Sequence, residues 1–175
     1  MLVLISYQAH AIRVPGLYEA EVFVDDQSVS SRERAMESAM KLVLVKLTGD
    51  RNADSRLELR PVISQAGDYV QQYRYLEPDI DQPLAGLDDQ LPIIIRFDET
   101  NLNNALRNLG IQVWGRERPS TLVWIAKQDE SYRDIIQPET FPEVFSEIEG
   151  RAKERGIVLI NPLFDLQDNS ALRPS

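Results

Sequence analysis

The sequence contains no cysteine and a single histidine, His10, among its 175 residues. Without cysteine the chain has no disulfide, no thiolate nucleophile and no Cys-type zinc or iron–sulfur site. One histidine cannot supply a two-histidine metal site, and a Ser-His-Asp triad would need that one residue to lie in the active site. We therefore expect neither a metal ion nor another cofactor.

Long apolar runs and phosphate-binding motifs are also missing. No run reaches the length of about 18 apolar residues that a membrane-spanning helix needs. The sequence has no Gly-rich phosphate loop, no G-x-S-x-G and no H-E-x-x-H. Acidic residues outnumber basic ones by 28 to 19, and the net charge of -9 repels phosphates. These features argue against a nucleic acid partner and against several common enzyme classes.

The first eleven residues have features of a secretory signal peptide. A short apolar run from Leu2 to Ile5 precedes Ala9-His10-Ala11, a small-x-small pattern typical of a cleavage site. The basic segment that usually begins such a peptide is missing, so an ordinary edge strand is the alternative interpretation. Under the signal interpretation, residues 1–11 are a signal-peptide remnant and the protein is periplasmic or secreted.

Hydrophobic periodicity predicts a strand followed directly by a long helix. Apolar residues alternate with polar ones from Tyr18 to Val24 and recur at helical spacing from Ala35 onward. Ser30 and Glu33 have the spacing of a capping box at the start of this helix, and Gly49 is placed to end it. The predicted buried stripe of the helix consists of Ala35, Met36, Ala39, Leu42, Val43 and Leu47.

The middle of the chain predicts two further strands around an acidic loop. The segment from Tyr69 to Leu76 reads as a strand with Tyr69, Tyr73 and Tyr75 on one face. Burial of these tyrosines is favoured over their presentation to a partner, because tyrosine can bury its ring while its hydroxyl stays hydrogen-bonded. Residues 77–90 predict a long loop and residues 91–97 a strand buried on both faces.

The last third predicts a parallel βαβ unit. Thr121 to Ala126 is the first strand, a capping box of Thr140 and Glu143 begins the helix, and residues 157–160 form the second strand. We therefore predict an α+β protein whose mixed sheet carries helices and which ends in this unit, an arrangement distantly like envelope adaptor domains. The predicted division is 1–11, an amino-terminal unit of 12–115, a βαβ unit of 116–166 and a truncated tail of 167–175.

Several sequence blocks together resemble domain-of-unknown-function family 2066 of Gram-negative bacteria. The blocks are Val14 to Ala20, Val24-Asp25, Val45 to Gly49, Tyr69 to Tyr73, Trp114 to Trp124 and Pro162 to Leu166. The resemblance implies a longer secreted envelope protein, of which this chain would be the amino-terminal half. It implies no catalytic residue.

Two groups of residues are candidates for binding. In the first, Trp114 and Trp124 flank Arg116 and Arg118. Arginine forms paired hydrogen bonds with carboxylates and stacks on aromatic rings, so this block could recognise an anionic group or a glycan. A packed connector before a strand is the alternative interpretation of the block. The second group is Lys127 and Asn161, near the carboxyl ends of the predicted parallel strands, where ligands of such units bind.

Together these features predict a non-enzymatic interaction or assembly module of the bacterial envelope, with an envelope protein or glycan as its partner. A carboxylate-dependent glycan hydrolase is the enzyme alternative, because paired acids can hydrolyse glycosidic bonds. No pair stands out among the 28 acids. A small-ligand binder at the βαβ crevice is the third possibility, and the sequence does not specify an oligomeric state.

Overall fold

A computed structural model describes residues 11–76, 90–128 and 133–162. The chain divides into two compact units, Pro15–Gly115 and a second unit made of Met1–Val14 with Arg116–Ser175. The helices are α1 (Val29–Thr48), α2 (Arg60–Ser64), α3 (Glu99–Asn108) and α4 (Pro142–Glu154). The strands are β1 (Ala11–Arg13), β2 (Glu19–Val24), β3 (Val70–Tyr75), β4 (Leu91–Phe97), β5 (Glu117–Leu122), β6 (Ala126–Gln128), β7 (Arg133–Ile135) and β8 (Val158–Ile160). The predicted α+β class is confirmed.

A three-stranded antiparallel sheet is the centre of the Pro15–Gly115 unit. Its strand order is β2-β4-β3, and Ala20 lies opposite Ile95, which in turn lies opposite Tyr73. Side chains alternate between the two faces of a strand, so Ile93, Ile95 and the residues opposite them share one face. Ile93 and Ile95 are fully buried and α1 contacts both β2 and β4, so we call this the inner face.

The buried side of α1 follows a row of residues spaced by four. This row is Ser31, Ala35, Ala39, Val43 and Leu47, and the predicted burial of Ala39, Val43 and Leu47 is confirmed. Four residues advance a helix by about 40° more than one full turn, so the buried side rotates along the helix. Met40 and Leu44 are also fully buried, and α1 contacts both the sheet and the short segments from Ala53 to Tyr69.

Two residues of the predicted stripe are not fully buried. Leu42 is 39% exposed, so its assignment to the core is wrong, whereas Met36 is half-buried at the edge of the buried side. The reason is the rotation of the buried side, which turns the position of Leu42 toward solvent in the second half of α1.

Ser28 begins α1 rather than the predicted capping box of Ser30 and Glu33. The Ser28 hydroxyl accepts a hydrogen bond from the Ser31 amide at 3.2 Å, which satisfies one free backbone donor of the first turn. The Ser28 amide donates to Asp26 Oδ1 at 2.9 Å. Hydrogen bonds from the Ser28 side chain and backbone lower the pKa of Asp26 from 3.8 to about 2. At the other end, Gly49 adopts φ 72° as the predicted cap.

The second unit contains the predicted parallel βαβ arrangement. Its sheet has the order β1-β5-β8, with β5 parallel to β8 and α4 between them in the chain. The predicted first strand was placed too late, because β5 spans Glu117–Leu122 and a short β6-β7 hairpin follows it. The start of α4 also differs, since Pro142 occupies the first turn after Phe141 without a side-chain cap.

The strand β1 pairs antiparallel with β5 and belongs to the same compact unit. Ala11 is the first residue of that strand. The predicted signal segment before Ala11, most of the acidic loop and the tail lie outside the described residues.

Candidate interaction surface

Trp114, from the predicted binding block, lies at the carboxyl end of α1. Its backbone N–H donates to the Leu47 carbonyl at 2.6 Å. Its indole ring lies beside Gly49, where an added Cβ would be 3.8 Å from Cε3. The last carbonyls of a helix lack partners within the helix. Trp114 therefore has a structural role in ending α1, although its side chain is partly exposed.

Arg118 is the largest fully buried side chain of the protein's described residues. Its Nη1 donates to the Gly156 carbonyl at 2.8 Å and to the Arg155 carbonyl at 3.2 Å. These carbonyls follow α4, whose carboxyl end carries partial negative charge. Arg118 thus fastens the end of α4 to β5. Its neighbour Arg116 is half-buried, and its backbone carbonyl accepts a hydrogen bond from Val14.

Lys127 and Asn161 lie on different elements of the second unit. Lys127 belongs to the β6-β7 hairpin, with Nζ 5.7 Å from the centre of the Phe141 ring. Asn161 directly follows β8 and is half-buried. The parallel strands end at Leu122 and Ile160, so Lys127 is displaced from their carboxyl ends by several residues. Ligand or partner binding at Trp114, Arg116, Arg118, Lys127 and Asn161 stays a prediction.

The face of the β2-β4-β3 sheet opposite α1 carries an ordered set of charges, and we call it the outer face. One row across the strands consists of Glu19, Arg96 and Gln72, and the next of Glu21, Ile94 and Arg74. The acids therefore lie on β2, and the arginines lie on β4 and β3. In a protein of net charge -9, the β3 side of this face is locally basic.

A shallow cavity of about 160 Å³ lies on the outer face. It is lined by Glu19, Gln72, Tyr73, Arg74, Ile94 and Arg96. Arg96 donates from Nε and Nη2 to the same Glu19 oxygen, at 3.0 and 2.7 Å. Arg74 is exposed, and within the described ranges its side chain has no ion-pair or hydrogen-bond partner. Among the described residues, the cavity therefore contains one neutralised carboxylate, that of Glu19, and one guanidinium without a partner, that of Arg74.

One edge of β3 has no partner strand among the described residues. The Leu76 amide donates to the Pro92 carbonyl at 2.8 Å, which identifies these opposite residues as a hydrogen-bonded pair. Because such pairs alternate with non-bonded ones, Gln72 and Arg74 bond to β4, whereas the N–H and C=O groups of Tyr73 and Tyr75 point outward. No strand in the described part of the chain pairs with that edge.

The opposite edge of the sheet is partly occupied. There, Lys46 of α1 donates from Nζ to the Glu19 carbonyl at 2.8 Å and to the Gly16 carbonyl at 3.3 Å. Glu19 is the first residue of β2, and its carbonyl points away from β4 by the same alternation. The start of the β2 edge is therefore taken by a lysine side chain, and β3 is the more accessible edge.

The tyrosines of β3 lie at the border of the inner face. Tyr73 is 41% exposed, contacts Tyr75 edge to face with ring centres 6.2 Å apart, and has the Arg32 guanidinium 5.4 Å from its centre. The prediction of a buried face of three tyrosines is wrong. A bulge between Val70 and Gln72 shifts the alternation, so Val70 rather than Tyr69 shares the inner face with Tyr73.

Comparison with known proteins corrects the sequence-based family assignment. Residues 11–115 match the model of Domain of unknown function (DUF8605), so the resemblance to family 2066 is wrong. No curated protein and no solved structure matches the chain. None of the described helices is long and apolar enough to cross a membrane, and the same residues contain no metal-binding cluster of His, Cys, Asp and Glu. The chain belongs to the DUF8605 family, a domain of unknown function.

Proposed function

We propose that the Pro15–Gly115 unit is a non-enzymatic interaction module that binds an extended segment of another protein along β3. The observation that supports this most is the outward direction of the Tyr73 and Tyr75 backbone groups at an edge that no described strand covers. An open edge is a template for a further strand, because its free N–H and C=O groups can form a new ladder.

The side chains of β3 support the same proposal. Strand β3 is six residues long, which is sufficient for a stable added ladder, and four of these residues are exposed. Tyrosine and arginine, both present on β3, are enriched at protein interfaces. Lys46 makes β2 a poorer template, so the proposal assigns the partner to the β3 edge alone.

The hydrolase alternative is less well supported. A glycoside hydrolase needs one protonated acid and a second carboxylate beside the scissile bond. The cavity of the outer face is lined by one carboxylate, Glu19, and Arg96 neutralises it at 2.7 Å. This arrangement suits recognition rather than acid catalysis.

Location in the bacterial envelope is also part of the proposal, and it now depends only on the Ala9-His10-Ala11 pattern. The resemblance to family 2066 was the other support for an envelope location and the only support for a missing carboxyl-terminal half. The match to DUF8605 removes that support. Amino-terminal sequencing of the natural protein would detect cleavage after Ala11, and an uncleaved natural protein would remove the remaining support.

Strand addition can be tested with peptides selected from a displayed library of random segments. We expect the selected peptides to perturb the NMR amide signals of residues 71–75. Tyr73→Pro removes an outward N–H while preserving the ladder to β4, because that ladder does not use the Tyr73 amide. It should weaken binding roughly tenfold or more relative to Tyr73→Ala, which removes the same side chain but keeps the N–H.

A second control addresses the opposite edge. Glu21→Pro removes the corresponding outward N–H of β2 and should leave peptide affinity unchanged. Selected peptides that perturb other surfaces, or that bind Tyr73→Pro and Tyr73→Ala equally, would contradict strand addition at β3.

A further inference from the structure

We infer that the segment bound along β3 is acidic, with carboxylates at alternate positions on its outer-face side. This inference rests on the proposed function and specifies the chemistry of the partner. It starts from Arg74, an exposed guanidinium that has no described partner beside the open edge.

The only charged side chain of β3 is positive. The sequence of this strand, VQQYRY, contains one arginine and no acid. Arg96 of β4 lies diagonally from Arg74 on the outer face, and Arg32 of α1 lies over Tyr73 on the inner side. Glu19 neutralises Arg96, whereas no described residue pairs with the Arg74 guanidinium, which could therefore take a carboxylate from a bound segment. An arginine fork binds a carboxylate through two parallel hydrogen bonds.

The register of the sheet fixes where those carboxylates would lie. Residues of an added strand that face Gln72 and Arg74 project onto the outer face, and those that face Tyr73 and Tyr75 project onto the inner side. The first set would meet a cation and an amide, and the second would meet aromatic rings. The partner segment therefore alternates acidic residues with apolar or aromatic ones.

A second copy of this chain fits the edge poorly. Pairing β3 with another β3 brings two arginine-bearing strands together without an acid between them. The β2 edge of another copy carries Glu19 and Glu21, but Lys46 occupies the start of that edge. Charge therefore argues against β3–β3 pairing and the Lys46 contact argues against β3–β2 pairing, so a different protein is the favoured occupant.

The test uses two soluble peptides of about eight residues, one alternating Glu with Val and the other alternating Lys with Val. We expect the Glu peptide to bind the full chain roughly tenfold more tightly than the Lys peptide, and this difference should shrink as salt is added. Arg74→Glu should reverse the preference. Arg51→Glu, an equal charge change at an exposed turn residue, should preserve it.

The outcomes separate this inference from the proposed function. Equal binding of both peptides, or an unchanged preference in Arg74→Glu, would overturn the acidic partner even if library-selected peptides still bind β3. Failure of all peptides to perturb β3 would overturn both. The wild-type chain could also self-associate, and Arg74→Glu could abolish this association. That result would identify a second copy as the occupant and overturn the inference.

Discussion

Leu44→Ala is expected to lower the free energy of unfolding of the Pro15–Gly115 unit by about 2–5 kcal/mol. Leu44 is fully buried in α1, beside the equally buried Met40 and Leu47. The substitution removes apolar contacts and leaves a cavity that closely packed neighbours fill only in part. Urea unfolding of the wild type and the variant measures this loss directly.

Leu42→Ala is the matched control, because it removes the same atoms from the same helix. Leu42 is 39% exposed, so its loss should cost less than about 1 kcal/mol. Sequence periodicity alone places Leu42 in the core, whereas the structure places Leu44 there. A larger loss from Leu42→Ala than from Leu44→Ala would show that α1 is rotated relative to the sheet.

Arg118→Met is expected to destabilise the second unit by roughly 1.5–3 kcal/mol, the range for hydrogen bonds that involve a charged group. The variant keeps most of the side-chain volume but leaves the Arg155 and Gly156 carbonyls without their Arg118 donor. A lower melting temperature in calorimetry is therefore expected, with the transition of the Pro15–Gly115 unit less affected.

Arg116→Met provides the comparison for this variant. Arg116 is only half-buried, so its replacement should cost less than that of Arg118. The position of Arg118 between Trp114 and Trp124 suggested a role in surface recognition. If Arg118 had that role, its replacement would leave the melting temperature unchanged. That result would contradict the structural role.

The parts of the fold that the sequence predicted correctly depend on local patterns. Alternation from Tyr18 to Val24 and helical spacing up to Gly49 arise from which side of a single element is buried, so they are visible in a short window. The class of the fold and the parallel βαβ arrangement follow from the order of such elements. Their boundaries were less accurate, as the late placement of β5 shows.

The errors occur where distant residues decide the outcome. Nothing near Leu42 indicates that α1 packs on two sides, and the bulge beside Gln72 arises from pairing with β4. Arginine is seldom fully buried, so the role of Arg118 could not be read from its type. The open edge of β3 likewise depends on which strands pair. The sequence indicated a tyrosine-rich strand there, but not its exposure.

Hydrogen exchange along β3 tests the open edge most directly, because it needs no partner. In the free protein, the Arg74 amide should exchange slowly, since it bonds to β4, whereas the Tyr73 and Tyr75 amides should exchange rapidly. Both tyrosine amides should become protected when a segment binds. If the Tyr73 and Tyr75 amides of the free protein exchange as slowly as the Arg74 amide, the edge is already covered. That result would contradict the proposed site.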